Sequence, residues 1–166
     1  MRLNLKDVIC SPGAVLPFAF QLDLSQLEFG GRRPVTEPVA VTGEVRNMAG
    51  ALVLNATART VLSLVCDRCA KPFTREKTVE YETLLADQLA GEADQEDIVL
   101  LEGDELDAGK LLTDTFILDL DTKNLCSEDC KGLCPGCGVD LNEAPCRCQK
   151  EVDPRLAVLG KFFERD

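Results

Sequence analysis

Apolar and polar residues alternate over long stretches of this chain, and a period of two predicts a protein built mainly of β-strands. Residues 2–6 (RLNLK) alternate as a short strand, and a turn follows at residues 10–13. Residues 16–24 (LPFAFQLDL) form a second extended candidate with Phe18, Phe20, Leu22 and Leu24 on one face. The GGRR run at 30–33 is a loop. Residues 39–45 (VAVTGEV) and 52–65 (LVLNATARTVLSLV) flank NMAG, a hairpin turn in which Gly50 is free to take a positive φ. In the second of these runs Leu52, Leu54, Ala56, Ala58, Thr60, Leu62 and Leu64 share a face. Residues 73–85 continue the alternation, with Phe73, Arg75, Lys77, Val79 and Tyr81 on one side and Thr74, Glu76, Thr78, Glu80 and Glu82 on the other. That is a strand with one wet face, near a sheet edge.

The period changes only twice. Asp107 is placed to cap a helix over AGKLLTDTFILDL, where Leu111, Leu112, Thr115, Phe116 and Leu120 recur at helical spacing and Gly109 weakens the first turn. Asp153-Pro154 opens a terminal helix with Leu156, Leu159 and Phe163 as its packing stripe. Between these patterns, residues 86–97 are acidic and poor in apolar residues and predict a mobile loop, and residues 98–101 predict a brief strand. The expected class is α+β: a small antiparallel β-rich core, barrel- or sandwich-like, with a few helices and a cysteine-rich, metal-stapled C-terminal segment. Residues 1–121 would form the core with its acidic loop and helix. Residues 122–166 would form the cysteine-rich zinc-knuckle segment and terminal helix, packed on that core within one domain.

Composition narrows the chemistry. The chain has 166 residues, no histidine, no tryptophan and one tyrosine, and no apolar run approaches the roughly 18 residues of a membrane span. The first ten residues mix acids and bases and do not resemble a signal peptide. The net charge of −11 is concentrated: residues 80–121 hold fourteen acids and a single base, Lys110. Such a balance does not suit a protein that lives on backbone phosphates, and it suits a basic protein partner better.

Nine cysteines in such a chain point to metal before disulfides, because the cytoplasm, the expected compartment, keeps thiols reduced. Eight of them form close pairs: Cys66/Cys69, Cys126/Cys130, Cys134/Cys137 and Cys146/Cys148. Each pair can offer two thiolates to one tetrahedral ion, so the expected cofactor is zinc, two ions per chain, with an iron–sulfur cluster, which uses the same four ligands, as the alternative. Two partitions satisfy the spacing. One joins Cys66, Cys69, Cys126 and Cys130 and leaves Cys134, Cys137, Cys146 and Cys148 together; the other closes Cys126, Cys130, Cys134 and Cys137 locally and joins Cys66/Cys69 to Cys146/Cys148. Cys10 is a spare thiol or a small buried hydrophobe. Four-thiolate sites are closed and structural as a rule, so no catalytic residue is assigned. Arg68, Lys71 and Arg75 beside the first pair are candidates to touch RNA, and Glu102, Asp104 and Glu105 to engage a basic protein.

The run Val65-Cys66-Asp67-Arg68-Cys69, Asp107 with Leu111-Leu112, and above all Cys130-Lys131-Gly132-Leu133-Cys134-Pro135-Gly136-Cys137-Gly138, Leu141-Asn142, Cys146-Arg147-Cys148 and Asp153-Pro154-Arg155 closely resemble the YceD family, the large ribosomal RNA subunit accumulation proteins. The likeness spans nearly the whole chain, and its cysteine-rich part is the specific one. The resemblance implies a bacterial or plastid protein linked to accumulation of 23S ribosomal RNA, with no established enzyme activity. It also implies a ribosomal-protein partner, bL32 being the candidate from gene neighbourhood. The expected function is thus a non-enzymatic accessory factor in large-subunit biogenesis that binds rRNA, a ribosomal protein or both, without membrane or small-molecule substrate, and as a monomer. The alternative is a thiol-redox or metal-dependent RNA-processing enzyme. A reversible Cys66–Cys69 potential, or rRNA cleavage lost on replacing acids near Asp104, would favour it.

Overall fold

The structure is a computed structural model that describes residues 1–86 and 98–148. The chain divides into two units: Met1–Leu64 with Phe73–Lys123, and Val65–Pro72 with the chain from Asn124 onward. The expected acidic loop (apart from Ala86) and the expected terminal helix lie outside the described residues.

The first unit is mostly β-sheet with two helices, in keeping with an α+β class. Its elements are β1 (Arg2–Asn4), α1 (Lys6–Ile9), β2 (Val15–Leu22), β3 (Val39–Met48), β4 (Ala51–Val65), β5 (Pro72–Ala86), β6 (Ile98–Leu100), β7 (Glu105–Asp107) and α2 (Ala108–Leu118). Strands β2 to β6 form one sheet in chain order, and β1 pairs with β7 in a second. Burial follows the alternation read from the sequence. In β4, Leu52, Leu54, Ala56, Ala58, Leu62 and Leu64 are buried, while Thr74, Glu76, Thr78, Glu80 and Glu82 of β5 all face solvent. The buried face meets α2 and the N-terminal segment, with Leu5, Val39, Val45, Leu54, Leu112 and Phe116 in a single core.

The β3–β4 hairpin is tighter than the sequence suggests. Its register runs to Met48↔Ala51, leaving a two-residue turn of Ala49 (φ 55°) and Gly50 (φ 102°). Only such a mirror-image turn matches the right-handed twist of paired strands, so β3 extends through Asn47 and Met48. Asn47 can enter the strand because its side chain is satisfied there. Its Nδ2 donates to the carbonyls of Val8 (2.8 Å) and Ile9 (3.2 Å), and its Oδ1 accepts from Gly50 N (2.8 Å). The same contacts occupy the last carbonyls of α1, a one-turn helix that the alternation of residues 2–6 did not reveal.

One strand pair departs from the expected antiparallel core. β6 runs parallel to the end of β5, with Leu84↔Ile98 and Ala86↔Leu100 in register. The short apolar run at 98–101 identified a strand, but a three-residue strand carries no signal of its direction. The short strand β7 was missed for a similar reason: Leu106 is its one apolar residue, and it faces inward between Glu105 and Asp107, which are exposed.

Two glycines of the first unit are required by close approach. A Cβ on Gly109 would collide with the N-terminal nitrogen of Met1, and the Gly109 amide donates to Met1 O (3.0 Å). The residue counted only as a weak point of α2 is therefore a packing position, while the Asp107 side chain caps the helix through Lys110 N (3.0 Å). A Cβ on Gly43 would meet the carbonyl of Asn55 and the Phe18 ring. Gly43→Ala is expected to displace Phe18 and destabilise the unit by about 1–3 kcal/mol, measurable as a lower urea midpoint at unchanged m-value. A midpoint equal to wild type would show that the sheet absorbs the methyl.

Candidate metal centres

The six residues joining β4 to β5 permit only an antiparallel turn, and Cys66 and Cys69 occupy it. The Cys66 amide donates to Lys71 O (2.9 Å), and the Ala70 amide donates to Cys66 O (2.9 Å). Residues of this turn also gather the second pair of thiols. Asp67 N donates to Asn124 O (2.8 Å) while Asn124 N donates to Asp67 Oδ2 (2.6 Å). Arg68 Nη1 donates to the carbonyls of Glu128 (3.1 Å) and Cys130 (2.8 Å). Cys66 and Cys130 end 3.7 Å apart at sulfur, and Cys69 and Cys126 3.6 Å apart.

The second group repeats the same turn. Cys134 N donates to Val139 O (2.8 Å) and Gly138 N to Cys134 O (2.8 Å). Here the sulfur of Cys146 stands 3.1 Å from that of Cys134 and 3.6 Å from that of Cys137. The fold thus makes the first of the two partitions: Cys66, Cys69, Cys126 and Cys130 form one set and Cys134, Cys137, Cys146 and Cys148 the other, the sulfurs of each within 4.8 Å of one another. A single tetrahedral ion held by four thiolates at about 2.3 Å keeps its sulfurs about 3.8 Å apart. Both donor sets fit that requirement in number and chemistry, and both could hold a metal ion; the first also fits in spacing, while the Cys134–Cys146 pair at 3.1 Å would have to open to about 3.8 Å around an ion. Cys10 belongs to neither; it is an exposed free thiol.

The two turns share a left-handed backbone position but fill it with different residue types. Gly138 takes φ 73° where the first turn has Ala70 at φ 56°. A left-handed conformation costs an L-residue about 1–2 kcal/mol, against the roughly 0.5–1 kcal/mol of extra unfolded-state freedom that a glycine brings. Ala70→Gly is therefore expected to stabilise the second unit by about 0.5–1 kcal/mol, seen as a higher thermal midpoint; a lower midpoint would contradict it.

Without an ion, each set divides its protons unevenly. Burial pushes the Cys66 thiol up, but amides of Cys126, Cys69 and Arg68 more than offset it and bring it to about 6. The amide of Cys137, with the Cys146 thiol and the amide of Gly136, brings Cys134 to about 6. The neighbouring sulfurs then hold their protons: Cys69 and Cys66 push Cys126 to about 12, and Cys137 and Cys146 push Cys148 to about 12. An ion replaces those protons and relieves the repulsion among the thiolates.

The candidate partner residues are divided between the two units, Arg68 and Lys71 in the second and the other four in the first. Arg68 is held by the carbonyls named above, and Lys71 pairs with Asp140 (2.8 Å) and with Glu143. That pairing, Asp140 first, raises Lys71 above its ordinary range and lowers Asp140. In the first unit, Arg75 lies over the Phe73 ring (5.3 Å) and reaches Asp121 (3.3 Å). Glu102 and Asp104 are exposed, and Glu105 stands 3.7 Å from Arg2. The spacing of the cysteines gave no hint of Asn142, whose Nδ2 donates to the Cys130 sulfur at 3.5 Å. Its place in the Leu141-Asn142 motif was the one available signal.

The sequence profile described as large ribosomal RNA subunit accumulation protein YceD matches residues 54–163, a span containing all eight paired cysteines. The chain belongs to the YceD family. Within that family it is 30% identical to the maize protein named large ribosomal RNA subunit accumulation protein YCED homolog 1, chloroplastic, over 98% of this chain and 66% of the relative. An Arabidopsis thaliana YCED homolog 1 is 25% identical over 80% of this chain and 50% of its own. An uncharacterized protein of Mycobacterium tuberculosis is 31% identical over 98% of this chain and 69% of its own length. The chain therefore spans between half and about two thirds of these relatives. No solved structure matches it. Among the described residues, no helix is long and apolar enough to cross a membrane.

Proposed function

We propose that this YceD-family chain is a non-enzymatic accessory factor in large ribosomal subunit biogenesis. It would support accumulation of 23S rRNA in the cytoplasm by binding a ribosomal protein, the rRNA, or both. The observation that carries the proposal is the coincidence of the family match with both thiol groups: the span that names the family is the span that builds the two four-thiol sets. Four-thiolate centres with every position filled by protein are fold-stabilising devices and leave no open position for a substrate. Zinc is the proposed ion at each. In the first group sulfurs 3.6–3.7 Å apart fit a single tetrahedral zinc, whereas a multi-iron cluster distributes its cysteines over separate irons.

A basic ribosomal protein, bL32 or another, is the proposed direct partner, steered by the acidic stretch of residues 80–121. Glu102 and Asp104 are exposed there and available for contact. Arg68, Lys71 and Arg75 are proposed to touch rRNA only at their margins, since each is engaged within its own unit. Replacing both Glu102 and Asp104 by lysine is expected to weaken binding of a basic large-subunit protein at least about tenfold at physiological salt. Equal affinity in a titration would remove the acidic stretch as the contact. Failure of the purified chain to bind any large-subunit protein or rRNA would remove the proposal.

A further inference from the structure

In the second unit one side chain from the loop of one thiol group reaches a sulfur of the other. Asn142 lies in the loop between Cys137 and Cys146, which joins the two halves of the second group, yet its Nδ2 donates to the sulfur of Cys130 in the first (3.5 Å). Its amide is oriented by two other side-chain contacts, and its backbone shares one of their partners. Oδ1 accepts from Lys131 N (2.8 Å), Nδ2 donates to Asp140 Oδ1 (2.7 Å), and the Asn142 backbone N–H donates to the same oxygen (2.8 Å). Turning the amide over would set an oxygen against the Asp140 carboxylate and an NH2 group against the Lys131 N–H. A hydrogen on the Cys130 sulfur is therefore imposed by the surroundings. Asp140 is itself held by Lys71, two residues past Cys69, at 2.8 Å.

The two groups differ in access to solvent. Cys66, Cys69 and Cys130 are buried in the first, whereas only Cys134 is buried in the second, with Cys137 and Cys148 exposed. A competing chelator meets the second group first.

We propose that Asn142 is a positioning residue that couples the two groups, so that an ion in the second strengthens the hold of the first on its own. The inference rests on both groups binding metal. Closing the second group fixes the loop that carries Asn142 and presents its N–H to the Cys130 thiolate. Emptying that group frees the loop and withdraws the hydrogen bond, and by linkage the first group favours the second equally. Losing an outer hydrogen-bond partner of a metal ligand lowers metal affinity by about 10–100-fold.

The test uses the full chain loaded with zinc, after elemental analysis of the wild type. Zinc release to a chromophoric chelator is followed while newly exposed cysteines are alkylated and located by mass spectrometry. The wild type is expected to release zinc from Cys134, Cys137, Cys146 and Cys148 first. In Asn142→Ala the second group, which releases while the first is still loaded, should lose its zinc about 10–100-fold faster, and the first group, released after the second has emptied and withdrawn the hydrogen bond, should keep the wild-type rate. Asn142→Asp, equal in shape, sets a carboxylate beside a thiolate and beside Asp140 and should act more strongly than alanine. Cys148→Ser should weaken zinc binding at the first group by a factor similar to that of Asn142→Ala, and the double variant should add little. An unchanged second group in Asn142→Ala, or equal acceleration of both groups, overturns the coupling. Fewer than two ions on the wild type overturns the two-ion metal reading itself, and this inference with it.

Discussion

Cys66→Ser is expected to empty the first thiol group and unfold the cysteine-rich unit, the largest effect any single substitution here should have. Apparent binding free energies of structural zinc reach roughly 10–16 kcal/mol in small zinc-stabilised folds, and that energy is folding energy. The second unit has little else to draw on: among the described residues, every residue of the hydrophobic core belongs to the first unit. Cys66 is also where the turn closes, through its amide on Lys71 O and its carbonyl on Ala70 N. The expected result is loss of one ion per chain and collapse of the amide spectrum of residues 65–72 and 124–148, while residues of β2, β3 and α2 keep their chemical shifts. A well-dispersed spectrum of the second unit with one ion missing would contradict this. Acid should mimic the substitution. The ion needs four thiolates, protons compete for them, and binding at pH 7 must expel the protons held by Cys126 and Cys148, both pushed to about 12. Affinity should therefore rise with pH, and proton release measured by calorimetry in buffers of different ionisation heat should be positive.

Phe116→Ala is expected to destabilise the first unit by about 3–5 kcal/mol, a large part of the roughly 5–15 kcal/mol available to a domain. The ring is fully buried on α2 and belongs to the core shared with Leu5, Leu54 and Leu112. Its loss removes the burial of the ring and leaves a cavity that Gly109, locked against Met1, prevents the helix from closing by sliding inward. Urea unfolding followed by far-UV circular dichroism measures it. A change below about 1 kcal/mol would mean that α2 contributes little to the unit.

Much of the first unit could be read from the chain because strand alternation is a local property. The even residues of β4 and the odd residues of β5 face inward as their spacing required, and Asp107 caps α2 as its position before an apolar stripe required. The failures are also local in origin. Helix α1 and strand β7 are too short to show a period, and the Ala49-Gly50 turn is decided by strand twist, a property of the pair.

By itself the sequence determined that the chain is a β-rich protein with eight cysteines in four close pairs, and that it resembles one family. Adjacent thiols and alternating faces are written within a few residues of one another. Which pairs share a centre was decided only by tertiary structure, because Cys66 and Cys130 lie 64 residues apart and meet through the contacts of Asp67 and Arg68 with a distant backbone. The same holds for Asn142 on Cys130 and for Gly109 against Met1. Each is a contact between residues whose types are unremarkable in the chain, and their meaning comes from the neighbour that the fold supplies.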